Sequence, residues 1–222
     1  MTPLLTALSA LALAPGTPVQ APAAVPAPTC LAGSYDGGAM EIAAGLDLRP
    51  DGRFTYGLAY GALNEEATGR WEGDAKAVTL IGDPITPPRF SLVREGPGPQ
   101  RAFRMALDLP AGMERQYFSV LLILAEGDPI EAQFTDDGIE IELVPKDRVV
   151  EVLLRLGVFD LTSQPIPLAG GNGREARFRF APNDLGKVAF DRTPLPRDGA
   201  TLLLERHDRQ LRFRPIEGGC QR

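Results

Sequence analysis

From residue 39 to residue 48 the chain alternates Met40, Ile42, Ala44, Leu46 and Leu48 with Glu41, Ala43, Gly45 and Asp47. This is the period of two that marks a strand with one face on a core. Pro50-Asp51-Gly52 follows as turn chemistry, with Gly supplying the positive-φ position. Residues 53–60 then alternate again, with Phe54, Tyr56, Leu58 and Tyr60 on one side. The pattern predicts a β-hairpin. Residues 68–71, 77–81 and 90–93 continue as short strands between Gly-Asp and Pro-rich turns, so the first third reads as an antiparallel meander.

Glu95-Gly96-Pro97-Gly98-Pro99 breaks the pattern and reads as the clearest internal linker. Beyond it, residues 103–109, 117–124, 130–135 and 139–144 are four further strands, the last two joined by the turn Asp136-Asp137-Gly138. The run 118–124 is apolar on both faces and is expected to be central in its sheet. Residues 147–156 fit a helical stripe with Asp147 as N-cap, but their Val content favours a strand. After the Pro/Gly-rich stretch 164–173, strands are expected at 174–180, 187–190, 201–206 and 209–214. Nearly every predicted element is β.

The apolar run MTPLLTALSALAL at residues 1–13 changes the picture, because it has the length of a signal-peptide core and is too short to span a bilayer. An Ala/Pro-rich segment follows it to residue 29. The chain has two cysteines, Cys30 just after this leader and Cys220 near the C-terminus. An exported chain with an even cysteine count is expected to close the pair as a disulfide in an oxidising compartment, here periplasmic or secreted. Acylation of Cys30 is the alternative, disfavoured by Ala27-Pro28-Thr29 before it and by the odd thiol it would leave. The net charge of −6 argues against general affinity for nucleic acid.

Gly33-Ser34-Tyr35 and the segment GLDLRPDGRFTYGLAYGALNEEATGRWEGDAKAVTLIGD after it carry a family pattern in Gly33, Tyr35, Asp51, Gly52, Phe54, Gly69, Trp71, Asp74, Val78 and Leu80. On these residues the chain resembles lipocalin-like, or calycin, barrels of the bacterial envelope. TPLPRDGATLLLERHDRQLRFRPI resembles the closing strands of such a barrel, and LLILAEGDPIEAQFTDDGIEIELV resembles a carboxypeptidase-regulatory or transthyretin-like β-sandwich. The resemblance implies an all-β chain: an eight-stranded antiparallel calycin-like barrel interrupted by a small β-sandwich. Five barrel strands, ending with residues 90–93, would precede the linker and three, beginning with residues 187–190, would follow Asn183. The organisation expected is a signal peptide and Ala/Pro-rich linker at 1–29, the first part of the barrel at 30–95, the inserted sandwich at 96–182 and the closing strands at 183–222. First and last strands pair in such barrels, which would bring Cys30 and Cys220 together.

Chemistry is sparse. His207, the single histidine, sits in Arg206-His207-Asp208-Arg209 between two predicted strands and reads as a solvated turn residue. One histidine and two paired cysteines leave no His/Cys zinc site, and no serine has a nucleophile-elbow context. Glu65 and Glu66 are adjacent and would point to opposite faces of a strand, wrong for a shared acid–base pair. Asp136, Asp137, Glu140 and Glu142 could hold calcium but read as an acidic hairpin turn. No catalytic residue, metal site or cofactor is expected. The barrel interior is left: either it is filled by its own side chains, or Tyr56 and Tyr60 line a cavity and offer hydroxyls to an apolar ligand with a polar head. The functional expectation is an exported, non-catalytic envelope protein acting as an interaction or structural module through an unknown protein partner, with no membrane span. Carriage of a small apolar ligand is the second expectation and a carboxylate-dependent hydrolase the third.

Overall fold

A computed structural model describes residues 31–216 apart from 75 and 145; Cys30 and Cys220 lie outside the described residues. Among the described residues, seventeen strands run in the order β1 (Gly33–Asp36), β2 (Ile42–Leu48), β3 (Arg53–Tyr60), β4 (Leu63–Gly73), β5 (Ala77–Gly82), β6 (Arg89–Pro97), β7 (Ala102–Asp108), β8 (Phe118–Leu124) and β9 (Ile130–Gln133), and continue as β10 (Ile139–Glu142), β11 (Val149–Leu156), β12 (Leu161–Thr162), β13 (Ile166–Pro167), β14 (Arg174–Ala181), β15 (Thr193–Asp198), β16 (Thr201–Arg206) and β17 (Arg209–Pro215). Eight of them close a barrel in the order β1-β17-β16-β15-β5-β4-β3-β2, every pairing antiparallel. The remaining strands form two further sheets, β10-β7-β14-β6 and β12-β11-β8-β9, with β13 beside β11. The two pack around a core of their own as a sandwich. Among the described residues no helix is long and apolar enough to cross a membrane.

Alternation in sequence becomes alternation of faces. In β3, Phe54, Tyr56 and Leu58 are buried in the barrel, while Thr55, Gly57 and Ala59 face out. The turn before β3 is built as its residues dictate: Gly52 takes φ 81°, and the Asp51 carboxylate accepts the Arg53 amide at 2.9 Å. At Gly69 an added Cβ would lie 2.2 Å from the Ile81 carbonyl oxygen, so β4 and β5 can approach there only without a side chain. Trp71, 3% exposed, closes this end of the barrel and donates its indole N–H to the Arg49 carbonyl at 2.9 Å.

The barrel has the expected eight strands, but two of them are not those expected. Residues 90–93 lie in β6, which pairs with β14 in the sandwich. The fifth early barrel strand is instead β1, whose four residues are too few to show periodicity. Residues 187–190 make only an isolated parallel bridge, Glu66 to Lys187, although Val188 and Phe190 point into the barrel core. The strand that fills the place is β15, TPLPRD. The Arg197 amide, two residues on from Leu195, donates to Lys76 on the β5 side, so the positions of Pro194 and Pro196 face β16. Neither proline has an N–H to offer there, and the β15–β16 ladder is limited to Arg197–Leu202 and Asp198–Thr201.

In the sandwich, β8 lies inside its sheet between β9 and β11, and residues 149–156 are a strand, both as the sequence suggests. The turn at Asp136-Asp137-Gly138 closes as a tight turn on a single Thr135–Gly138 bridge, but the strands it joins then part into different sheets. β9 before it pairs with β8 and β10 after it pairs with β7, in the opposite sheet. Phe90, Phe118 and Phe180 form an aromatic cluster in this core, with centroids 4.7–6.1 Å apart. Phe159 packs against both the barrel core and the sandwich core.

Candidate functional site

β4 begins at Leu63 rather than Thr68, and its inward positions are Leu63, Glu65, Ala67, Gly69 and Trp71. Glu65 therefore points into the barrel and Glu66 away from it. Among the described residues Glu65 is the buried charged side chain, 6% exposed. A carboxylate there must be matched by hydrogen-bond donors or it would be neutralised. Arg206, the last inward position of β16, supplies a two-point contact: Nη2 donates to Oε1 at 2.5 Å and Nε to Oε2 at 3.0 Å. His207 Nε2 lies 2.9 Å from Oε1, and the Tyr56 hydroxyl 3.4 Å from Oε2. An ionised carboxylate only accepts, so Nε2 carries the proton that faces it.

His207 stands in the expected turn with its side chain 36% exposed, and the sequence reading of it as a solvated turn residue missed only its contact with Glu65. His207 and Asp208 form the two-residue turn between β16 and β17, and both have positive φ, 51° and 55°. Asn-Gly would adopt that turn at lower cost, because a side chain with a Cβ is strained in the left-handed region. The strained position turns the imidazole back over the barrel end onto Glu65.

The electrostatics follow from the contacts. Burial by itself would raise the Glu65 carboxyl, but the Arg206 hydrogen bonds and charge, helped by His207, hold it below the ordinary glutamate value. The Tyr56 hydroxyl is pushed upward, first by burial and then by the Glu65 charge, and stays protonated. Arg206 is held more firmly protonated by its hydrogen bond to Glu65.

Tyr56 and Tyr60, the two tyrosines singled out in the sequence, occupy different surroundings. Tyr56 is 1% exposed and wedged edge-on between Phe190, centroid distance 5.2 Å, and Phe213, at 6.3 Å. Tyr60, 40% exposed, lies at the rim with the Arg209 guanidinium 5.5 Å from its ring centre. Below the Glu65 layer the interior is occupied by side chains, with Phe54, Phe190, Phe213, Leu202 and Leu204 all buried there. A cleft of about 740 Å³ runs along β2, β3 and β4, lined by Ala43, Gly45, Gly57 and Ala59, by Tyr56 and Glu65 of the cluster, and by Leu185 and Gly186. Of the acidic hairpin residues, Glu140 pairs with Arg104 at 2.5 Å and Asp136 lies 3.8 Å from Arg115, and among the described residues no cluster of metal-ligating side chains forms.

The signal for Glu65 was present in the chain. It shares parity with Leu63, Ala67 and Trp71, as Arg206 does with Leu202 and Leu204. A search of protein-family models, curated proteins and solved structures finds no match to this chain.

Proposed function

We propose that this chain is an exported, non-catalytic envelope protein of lipocalin-like kind, in which a solid barrel carries an inserted transthyretin-like sandwich and acts through its surfaces on a protein partner. The observation that carries the reading is the filled barrel: Phe190, delivered by the segment returning from the sandwich, sits edge-on to both Phe54 and Tyr56, at 5.8 and 5.2 Å. A barrel packed in this way is a rigid support. Its buried polar cluster is satisfied internally, Glu65 being held by Arg206, His207 and Tyr56. The apolar leader and the cysteines that bracket the fold support export. Carriage of an apolar ligand inside the barrel would require Phe190 and Tyr56 to move aside. A hydrolase built on Glu65 would have to free a carboxylate whose two oxygens are both engaged.

The test is native mass spectrometry of the protein recovered from the envelope of the cell that makes it, with cross-linking in place beforehand. The expected result is the bare processed chain together with cross-links to another protein from the sandwich or outer barrel. A stoichiometric small-molecule adduct would overturn the reading in favour of a carrier, and recovery from the cytosol with residues 1–13 intact would overturn export.

A further inference from the structure

Where the sandwich meets the barrel, a crevice of about 190 Å³ opens between the β3–β4 turn at Ala62, the segment carrying Met113, Glu114 and Tyr117, and the end of β11 with Phe159. Its walls are aromatic, thioether and aliphatic, with Leu156 and Val158 beside the rings. Phe118 is buried behind it, Phe159 and Met113 are half-buried, and Tyr117 is 44% exposed at the opening. The volume suits one aromatic ring, since a dry cavity of about 150 Å³ accepts benzene. Glu114 stands exposed at the edge, and its hydrogen bond comes from the neutral Gln116 amide. The neighbouring cation Arg115 is directed elsewhere, towards the Leu107 carbonyl at 3.5 Å and Asp136 at 3.8 Å.

We propose that this crevice is a binding site for a small organic cation, an aralkyl ammonium whose ring enters between Phe159 and Met113 while its amine is held by Tyr117 and Glu114. Aromatic faces attract cations through their quadrupole, and a carboxylate beside them adds a full opposite charge, so the site favours a positive head over a neutral or negative one. Lone apolar crevices select only by size; this one has a charge at its edge to select by sign. The site is separate from the Glu65 cluster, and nothing in it depends on whether the barrel itself carries a ligand.

The test is an NMR titration of the full chain with three probes of similar shape, phenethylammonium, 2-phenylethanol and 3-phenylpropionate. Phenethylammonium is expected to shift the Met113 methyl and Phe159 ring resonances saturably, binding about ten-fold tighter than 3-phenylpropionate with 2-phenylethanol between them. Glu114→Gln should cut the preference for the cation to the few-fold that the ring faces alone provide, while the same resonances still move. Ala62→Trp, on an exposed turn, should block all three probes. Absence of saturable shifts at Met113 and Phe159, equal binding of cation and anion, or a preference undiminished in Glu114→Gln would each overturn the proposal, the last two without requiring any variant to abolish binding.

Discussion

Replacing Glu65 with Gln keeps the shape of the side chain and removes its charge. The contacts set the magnitude. Removing one partner of a fully buried ion pair costs about 3–5 kcal/mol, mostly because the other charge is stranded. Here the stranded charge would be Arg206, whose side chain is 32% exposed and can recover part of its hydration, so the expected loss is about 2–3 kcal/mol. For a chain of this size that lowers Tm by about 4–12 °C. Trp71, the single tryptophan, reports on barrel unfolding, and urea titration at pH 7 gives the difference directly. Replacing both partners, Glu65→Leu with Arg206→Met, should recover most of the loss, because an apolar pair needs no desolvation.

The same interaction sets a pH dependence. The Glu65 carboxyl is held below its ordinary value in the folded chain, so its stabilising contribution is present above the unfolded pKa and is lost as pH falls through the folded one. The gap between the native chain and Glu65→Gln should therefore shrink as pH drops below about 4.3. A Glu65→Gln variant within about 0.5 kcal/mol of the native chain, or a double variant worse than the two single losses combined, would refute the ion-pair reasoning.

Three further expectations bear on the barrel. A Cys30–Cys220 disulfide should make the exported chain two hydrogens lighter than its reduced form, and reduction should cost about 5 kcal/mol by the chain-entropy relation for so long a loop; two free thiols in the exported chain would sink it. Phe190→Ala should lose about 3–5 kcal/mol in urea unfolding, whereas a loss below about 1 kcal/mol would mean that the ring does not plug the barrel. Gly69→Ala should lose about 1–3 kcal/mol or more because its Cβ meets the Ile81 carbonyl, while Gly57→Ala, with nothing nearer than 3.9 Å, should be neutral or slightly stabilising in the same assay.

What the sequence makes legible is the part of the fold governed by local rules. The β2–β3 hairpin is there because alternation and a Pro-Asp-Gly turn act within about twenty residues of each other. Pairing of the first and last barrel strands is as the resemblance implies, but the first is β1 and not residues 39–48, with Tyr35 opposite Pro215. The errors have a common cause. β1 is too short for period-two counting, and β15 has two prolines that local propensity reads as breakers. It is a strand because β5 offers it a ladder on the side where no proline N–H is needed. The Glu65 cluster was hidden for a different reason. Its members lie on β3, β4, the end of β16 and the β16–β17 turn, Glu65 and His207 being 142 residues apart, so only closure of the barrel brings them together. Adjacent-residue reasoning placed Glu65 and Glu66 on opposite faces, which holds, but did not ask which of the two faced in.

The way the insertion leaves and re-enters the barrel bears on whether the barrel stands alone. The outgoing segment after β5 and the returning segment after β14 run side by side, with the Asp184 amide donating to Thr86 at 3.0 Å and the Asn183 side chain to Pro87 at 2.8 Å. One further step along, Arg89 of β6 faces Ala181 of β14. Residues 89–181 thus leave and return through neighbouring positions, and a two-residue Asn-Gly turn can replace them without moving the ends. The returning segment must stay, because Val188 and Phe190 belong to the barrel core. Removing the insertion takes away Val158 and Phe159, both partly buried against the barrel core, a contact that contributes about 1.5–3 kcal/mol. The shortened chain is expected to unfold cooperatively by Trp71 fluorescence and far-UV circular dichroism, less stable than the full chain by about that amount. Loss of a cooperative transition would mean that the barrel needs the sandwich to fold, and that Phe159 joins two halves of one core rather than two cores.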